Sequence, residues 1–123
     1  MNIVLWVVQA LLALVFLGSG LVKLIRPKEK LRSQMAWVED FPTSAIKLIG
    51  AVEIVGAAGL ILPGLLHIAV ILTPLAAVGL LIVMIGAVVT HLRRHETGPA
   101  VVPLVLAILS AVVAVLRFGP YHF

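Results

Sequence analysis

The sequence predicts an all-α, integral membrane four-helix bundle with a short interfacial helix in its first loop. Three observations predict it. The 123 residues are 63% hydrophobic and only 11% charged, the apolar residues gather into four long stretches, and most basic residues flank those stretches. Soluble domains run at about 45–50% apolar and about 25% charged, and a chain this short has a large surface to keep wet. The mean hydropathy of +1.25 instead places the chain in lipid. There a backbone must satisfy its own hydrogen bonds, and without the two-residue alternation of a barrel strand the answer is helices.

The first span covers about residues 3–25, long enough to cross a hydrocarbon core of about 30 Å. No basic segment precedes it and no small-residue cleavage site follows, so it reads as a retained helix rather than a signal peptide. The first loop is the long one. Pro27 suits a first helical position, and Leu31, Met35 and Val38 fall at i, i+4 and i+7 while Lys28, Lys30 and Arg32 project elsewhere. With Trp37 and Phe41 nearby, about residues 27–38 read as an amphipathic helix lying in the membrane interface.

The other spans cover about residues 45–62, 66–89 and 100–116. Pro63-Gly64 reads as a tight turn that makes spans two and three antiparallel neighbours. Pro74, in the first half of span three, is expected to kink that helix, whereas Pro103 falls in the first turn of span four, where proline is tolerated. Small residues mark the expected helix contacts: Ala76, Gly79, Val83, Gly86 and Thr90 on one face of span three, and Ala107, Ala111 and Ala114 on one face of span four. One such face is also free to build a homo-oligomer.

The charge distribution sets a topology. Lys23, Arg26, Lys28, Lys30, Arg32 and Lys47 lie in or beside the first loop, Arg93 and Arg94 in the third, and Arg117 alone on the other side. Loops one and three are therefore expected in the cytoplasm, with both termini outside. A net charge of +4 read this way points to anionic membrane lipids rather than nucleic acid. The chain has no cysteine, which removes thiol–disulfide exchange and thiolate-held iron–sulfur or zinc sites. Any redox cofactor would have to come from elsewhere.

Few residues are left to carry chemistry. Glu53 lies deep in span two, about 12 Å from the cytoplasmic end by helical rise. An intramembrane carboxylate must face a bundle interior or cavity and find a partner, and burial without a cation favours its neutral form. Gly50, Gly56 and Ala57 on the same side permit a close neighbour. The competing reading is a hydrogen bond that only fixes helix packing. Lys23 has the reach to approach Glu53 from span one, but snorkelling to the headgroups is the commoner use of a lysine near a span end. Lys47 lies on the wrong side of its helix for a pair with Glu53. Gln9 reads as an interhelical hydrogen bond, and Ser19, Thr73 and Ser110 as hydroxyls satisfied on the preceding turn. His91 and His95 stand at i, i+4, a metal-compatible spacing, but Arg93-Arg94 between them disfavours a cation, so no metal site is expected. His67 and His91 fall on opposite faces of the membrane, which argues against a bis-histidine haem.

Three stretches then carry a resemblance: Phe16-Leu17-Gly18-Ser19-Gly20-Leu21-Val22-Lys23-Leu24; Phe41-Pro42 followed by Gly50-Ala51-Val52-Glu53-Ile54-Val55-Gly56; and Ala87 to Arg94 with His91. With its joint G-x-x-K and G-x-x-E pattern on four spans, the chain resembles the DoxX-like family of small bacterial four-helix membrane proteins. The resemblance implies polar family positions at Lys23, Glu53 and His91. Some relatives are associated with membrane redox complexes, including a thiosulfate:quinone oxidoreductase subunit and an oxidative-stress assembly. It implies an accessory subunit of a membrane redox or stress-response system in a bacterial inner membrane, not an enzyme by itself. No cofactor is intrinsic; a quinone or lipid would sit near Glu53, with Lys23, Gln9 and His91 as further ligand or proton candidates and a redox protein as partner. A proton-coupled homo-oligomeric transporter and a non-catalytic scaffold remain as alternatives.

Overall fold

The computed structural model describes residues 2–26 and 41–121. Among these it contains four helices, α1 (Asn2–Ile25), α2 (Thr43–Leu66), α3 (Leu72–Arg93) and α4 (Val101–Phe118), and no strand. All four are long and apolar enough to cross a membrane. The expected interfacial helix at 27–38 lies outside the described residues.

Each helix buries one stripe and leaves the rest apolar. In α1 the buried positions are Leu5, Gln9, Leu12, Phe16, Gly20 and Lys23, a spacing of three and four that follows the 3.6-residue turn. In α2 they include Ile46, Gly50, Glu53, Ala57 and Leu60. Only 28 to 33% of each apolar window is buried inside the bundle. Faces bearing Leu14, Val55, Ile82 and Val115, each more than 60% exposed, are thus shaped for lipid rather than water. The core joins Phe16, Leu60, Leu80, Met84, Val113 and Ala114 from all four helices.

The helices run antiparallel in sequence order. α1 packs on α2, α2 on α3 and α3 on α4, whereas α1 and α4 meet over a much shorter stretch. The bundle therefore has one weak seam. The bundle has two ends: the first-loop end, at Ile25, Thr43, Arg93 and Val101, and the hairpin end, at the turn between α2 and α3.

That turn is not where the sequence places it. Pro63 and Gly64 are buried inside α2, which continues to Leu66, and the chain reverses over residues 67–71 with His67 (φ 54°) and Ala69 (φ 48°) in the left-handed region. A proline inside a helix leaves the carbonyl four residues earlier without its N–H donor. Here that carbonyl belongs to Gly59, and the Thr73 hydroxyl from α3 donates to it at 2.9 Å. The neighbouring helix repairs the defect, so Thr73 serves across the interface rather than on its own preceding turn. The later turn also moves the start of α3 to Leu72, which puts Pro74 in the first turn, where no backbone N–H is needed. The expected mid-helix kink has no basis there.

The small residues of α3 are also corrected. The buried positions are Thr73, Pro74, Ala77, Leu80 and Met84, and a Cβ at Gly79 or Gly86 would meet nothing within 4 Å. Of the expected stripe, Ala76 does make a close approach, to Gly59. In α4, Ala107 and Ala114 are buried.

Candidate functional site

The site begins at a helix crossing. A Cβ on Gly20 would lie 2.6 Å from the Gly50 carbonyl oxygen, and one on Gly50 would lie 2.9 Å from the Gly20 carbonyl oxygen. No side chain fits between these backbones, so the two glycines set the closest approach of α1 and α2. Lys23 and Glu53 each follow their glycine by three residues, on the same face.

Because the helices are antiparallel, the two α-carbons fall on opposite sides of the crossing, about 9 Å apart along the axis at 1.5 Å per residue. Every Cα–Cβ bond leans toward its own helix N-terminus. For Lys23 that direction is into the membrane, and for Glu53 it is toward the first-loop end, so the side chains lean together. Lys23 Nζ forms an ion pair with Glu53 Oε1 and also donates to Ser19 Oγ at 2.9 Å. Glu53 is fully buried and Lys23 is 7% exposed. The expected snorkelling of Lys23 is overturned, and the cation absent from the sequence reading of Glu53 is supplied. Glu53 Oε2 is shielded and, among the described residues, has no hydrogen-bond partner.

This pair lies beside a cavity of about 670 Å³ to which all four helices contribute. Its walls include Phe16, Ser19 and Lys23 from α1, Glu53 from α2, and Thr90 and His91 from α3. Val102 and Leu106 of α4 close the far side. These positions span the half of the bundle between its first-loop end and its middle. Apolar side chains and Gly86 make up most of the wall, and polar groups are few.

His91 is at the rim. Its Nδ1 lies 3.1 Å from Glu96 Oε1, which is also 3.3 Å from Arg94 Nε. His95 shares no helical face with it, because α3 ends at Arg93 and His95 adopts a left-handed conformation. Among the described residues, no three His, Cys, Asp or Glu side chains gather as a metal site would require. Lys47 donates to the Leu24 carbonyl at 2.8 Å, away from Glu53.

Gln9 belongs to a second polar group, at the hairpin end. Its Nε2 donates to the Leu60 carbonyl at 2.6 Å, and its Oε1 accepts from Arg117 Nε at 2.8 Å. Arg117 Nη1 donates to Asn2 Oδ1 at 2.6 Å and to the Tyr121 carbonyl at 2.8 Å, and the guanidinium lies 5.7 Å from the Trp6 ring centroid. Arg117 is 3% exposed. Sequence reasoning counted it only as a topological charge and missed this role. The available signal was periodic: Arg117 follows Ser110 by seven residues and Ala114 by three, on the inward stripe of α4. Gln9 thus lies apart from the Lys23–Glu53 site, while Lys23, Glu53 and His91 share one cavity.

The arrangement offers a neutral ion pair with one unused acceptor, a hydroxyl and an imidazole around an apolar cavity. It can orient a polar head and hold an apolar body. In comparison with known families, the model of the DoxX-like family matches residues 7–113. No curated protein and no solved structure matches the chain.

Proposed function

Since the chain belongs to the DoxX-like family, we propose that it is an accessory subunit of a membrane redox or stress-response system. In this reading it holds a quinone- or lipid-type molecule in the four-helix cavity, with the polar head toward Lys23 and Glu53. One observation carries the proposal: the buried ion pair and the cavity of about 670 Å³ occupy the same half of the bundle. Ligand sites fall at about 300–1,000 Å³, mostly apolar with a few convergent polar groups. A buried ion pair adds little stability over well-packed apolar residues, so packing alone gives a weak reason for keeping one beside open space.

With no cysteine in the chain, electrons would be carried by the bound molecule and a redox partner protein. The excess of basic residues at the first-loop end argues for a cytoplasmic position of that end, with both termini outside. Proton-coupled transport is favoured less. It needs an acid that alternates between proton and cargo, whereas Glu53 already faces a fixed counter-charge.

The test is titration of the purified, delipidated protein with decylubiquinone and with its reduced form. Saturable binding of at least one is expected. Gly86→Phe should abolish it without lowering the unfolding midpoint, because Gly86 lines the cavity and its Cβ direction is open. If neither form binds, or if Gly86→Phe binds as well as wild type, the reading is lost.

A further inference from the structure

The Lys23–Glu53 pair uses only one of the two carboxylate oxygens. Oε1 receives Lys23, while Oε2 is buried and, among the described residues, without a partner. A buried carboxylate oxygen left unpaired is costly, and a donor that reaches it gains a charge-assisted hydrogen bond. Ser19 complements it. Its Oγ accepts from Lys23, and a hydroxyl that accepts one bond retains its own O–H to donate. Both side chains contribute to the wall of the same cavity. Glu53 and Ser19 thus place an acceptor and a donor at the cavity wall, with Oε2 shielded until the carboxylate turns toward a ligand, around a pair whose charges cancel.

We infer that the cavity selects a hydroxyl head group, one that donates to Glu53 Oε2 and accepts from Ser19, over a ketone or ether head of the same shape. This rests on the cavity being a ligand site, as proposed above. A ketone or ether offers lone pairs alone, so it satisfies Ser19 and faces the carboxylate with another acceptor. A carboxylate head adds a second negative charge to a site whose first is already neutralised. The chemistry that fits is a membrane-soluble phenol, hydroquinone or long-chain alcohol, undissociated.

The experiment compares 4-nonylphenol with its methyl ether, 4-nonylanisole, which share an apolar body and differ in the donor. The purified wild-type protein should bind the phenol about ten-fold or more tightly, the cost of leaving a buried acceptor unpaired. Glu53→Gln reverses the logic. Its amide oxygen turns to Lys23 and its NH₂ takes the place of Oε2, so the preference should fall to parity or invert toward the ether. The matched alcohol 1-dodecanol separates the sources: tighter binding of the phenol assigns an aromatic head, tighter binding of the alcohol a lipid alcohol, and both support the inference. Equal binding of phenol and ether to wild type overturns it while leaving the ligand site standing. Binding of none of these probes, nor of decylubiquinone in either form, overturns the site as well. The wild-type comparison decides the matter even if the Gln variant does not fold.

Discussion

Lys23 and Lys47 lie near the same end of the bundle, yet Lys23 turns inward to Glu53 and Lys47 outward to the Leu24 carbonyl. Helix polarity separates them. Lys23 ends α1, so its Cβ leans back into the membrane, whereas Lys47 begins α2 and leans toward the loop. Arg117, near the end of α4, leans inward for the same reason and reaches Gln9. The rule gives the ion pair a measurable signature. Lys23→Met leaves the Glu53 carboxylate buried without its cation and should cost about 3 kcal/mol, at the lower end of the range for breaking such a pair. Lys23→Met with Glu53→Leu removes both charges and should cost less than the single change. Unfolding of the three proteins in detergent checks this, and a double variant weaker than Lys23→Met would show that the pair does not account for the loss. The polar residues of the site were legible from their scarcity in apolar spans. Their pairing was not, because snorkelling frequency was weighed without the direction of the Cα–Cβ bond.

At the scale of elements, the glycine crossing decides where α1 and α2 meet, and two nearby glycines make a controlled comparison. Gly18 has open space where a Cβ would go, whereas Gly20 has the Gly50 carbonyl oxygen at 2.6 Å. Gly18→Ala should therefore gain about 0.5–1 kcal/mol from helix propensity. Gly20→Ala must separate the backbones and should be destabilised by about 1–3 kcal/mol, as for overpacking. Equal midpoints for the two variants would mean that the crossing is not close-packed. Four helices were legible because hydropathy and span length are summed over some twenty residues each, and local errors average out. The turn at Pro63-Gly64 and the kink at Pro74 were misread because both were judged within one helix. Pro63 is tolerated through Thr73, a residue of the next helix, and no single-segment pattern reports such a repair.

In the molecule as a whole, three helix contacts are extensive and the fourth, between α1 and α4, is short. The cavity lies against this weak seam, since Val15 and Phe16 on one side and Val102 and Leu106 on the other all line it. At the hairpin end the seam is held by Arg117, which bonds both Gln9 and Asn2 of α1. Removing Arg117 has two opposing effects on stability. It loses charge-assisted hydrogen bonds worth about 1.5–3 kcal/mol each, but it also relieves the desolvation of a buried charge, which costs several kcal/mol. The unfolding midpoint is thus a poor readout, and geometry is the better one. The chain has no native cysteine, so spin labels can be attached through Val4→Cys and Val115→Cys, both exposed positions near that end. Arg117→Leu should lengthen and broaden the label distance, because the guanidinium ties both Gln9 and Asn2 of α1 to α4. Lys23→Met should leave that distance unchanged, since its contacts bind α1 to α2 at the other end of the bundle. If Arg117→Leu retained the narrow wild-type distribution, packing of the Leu5 and Val113 stripes would be holding the seam, and the guanidinium would not be its clasp.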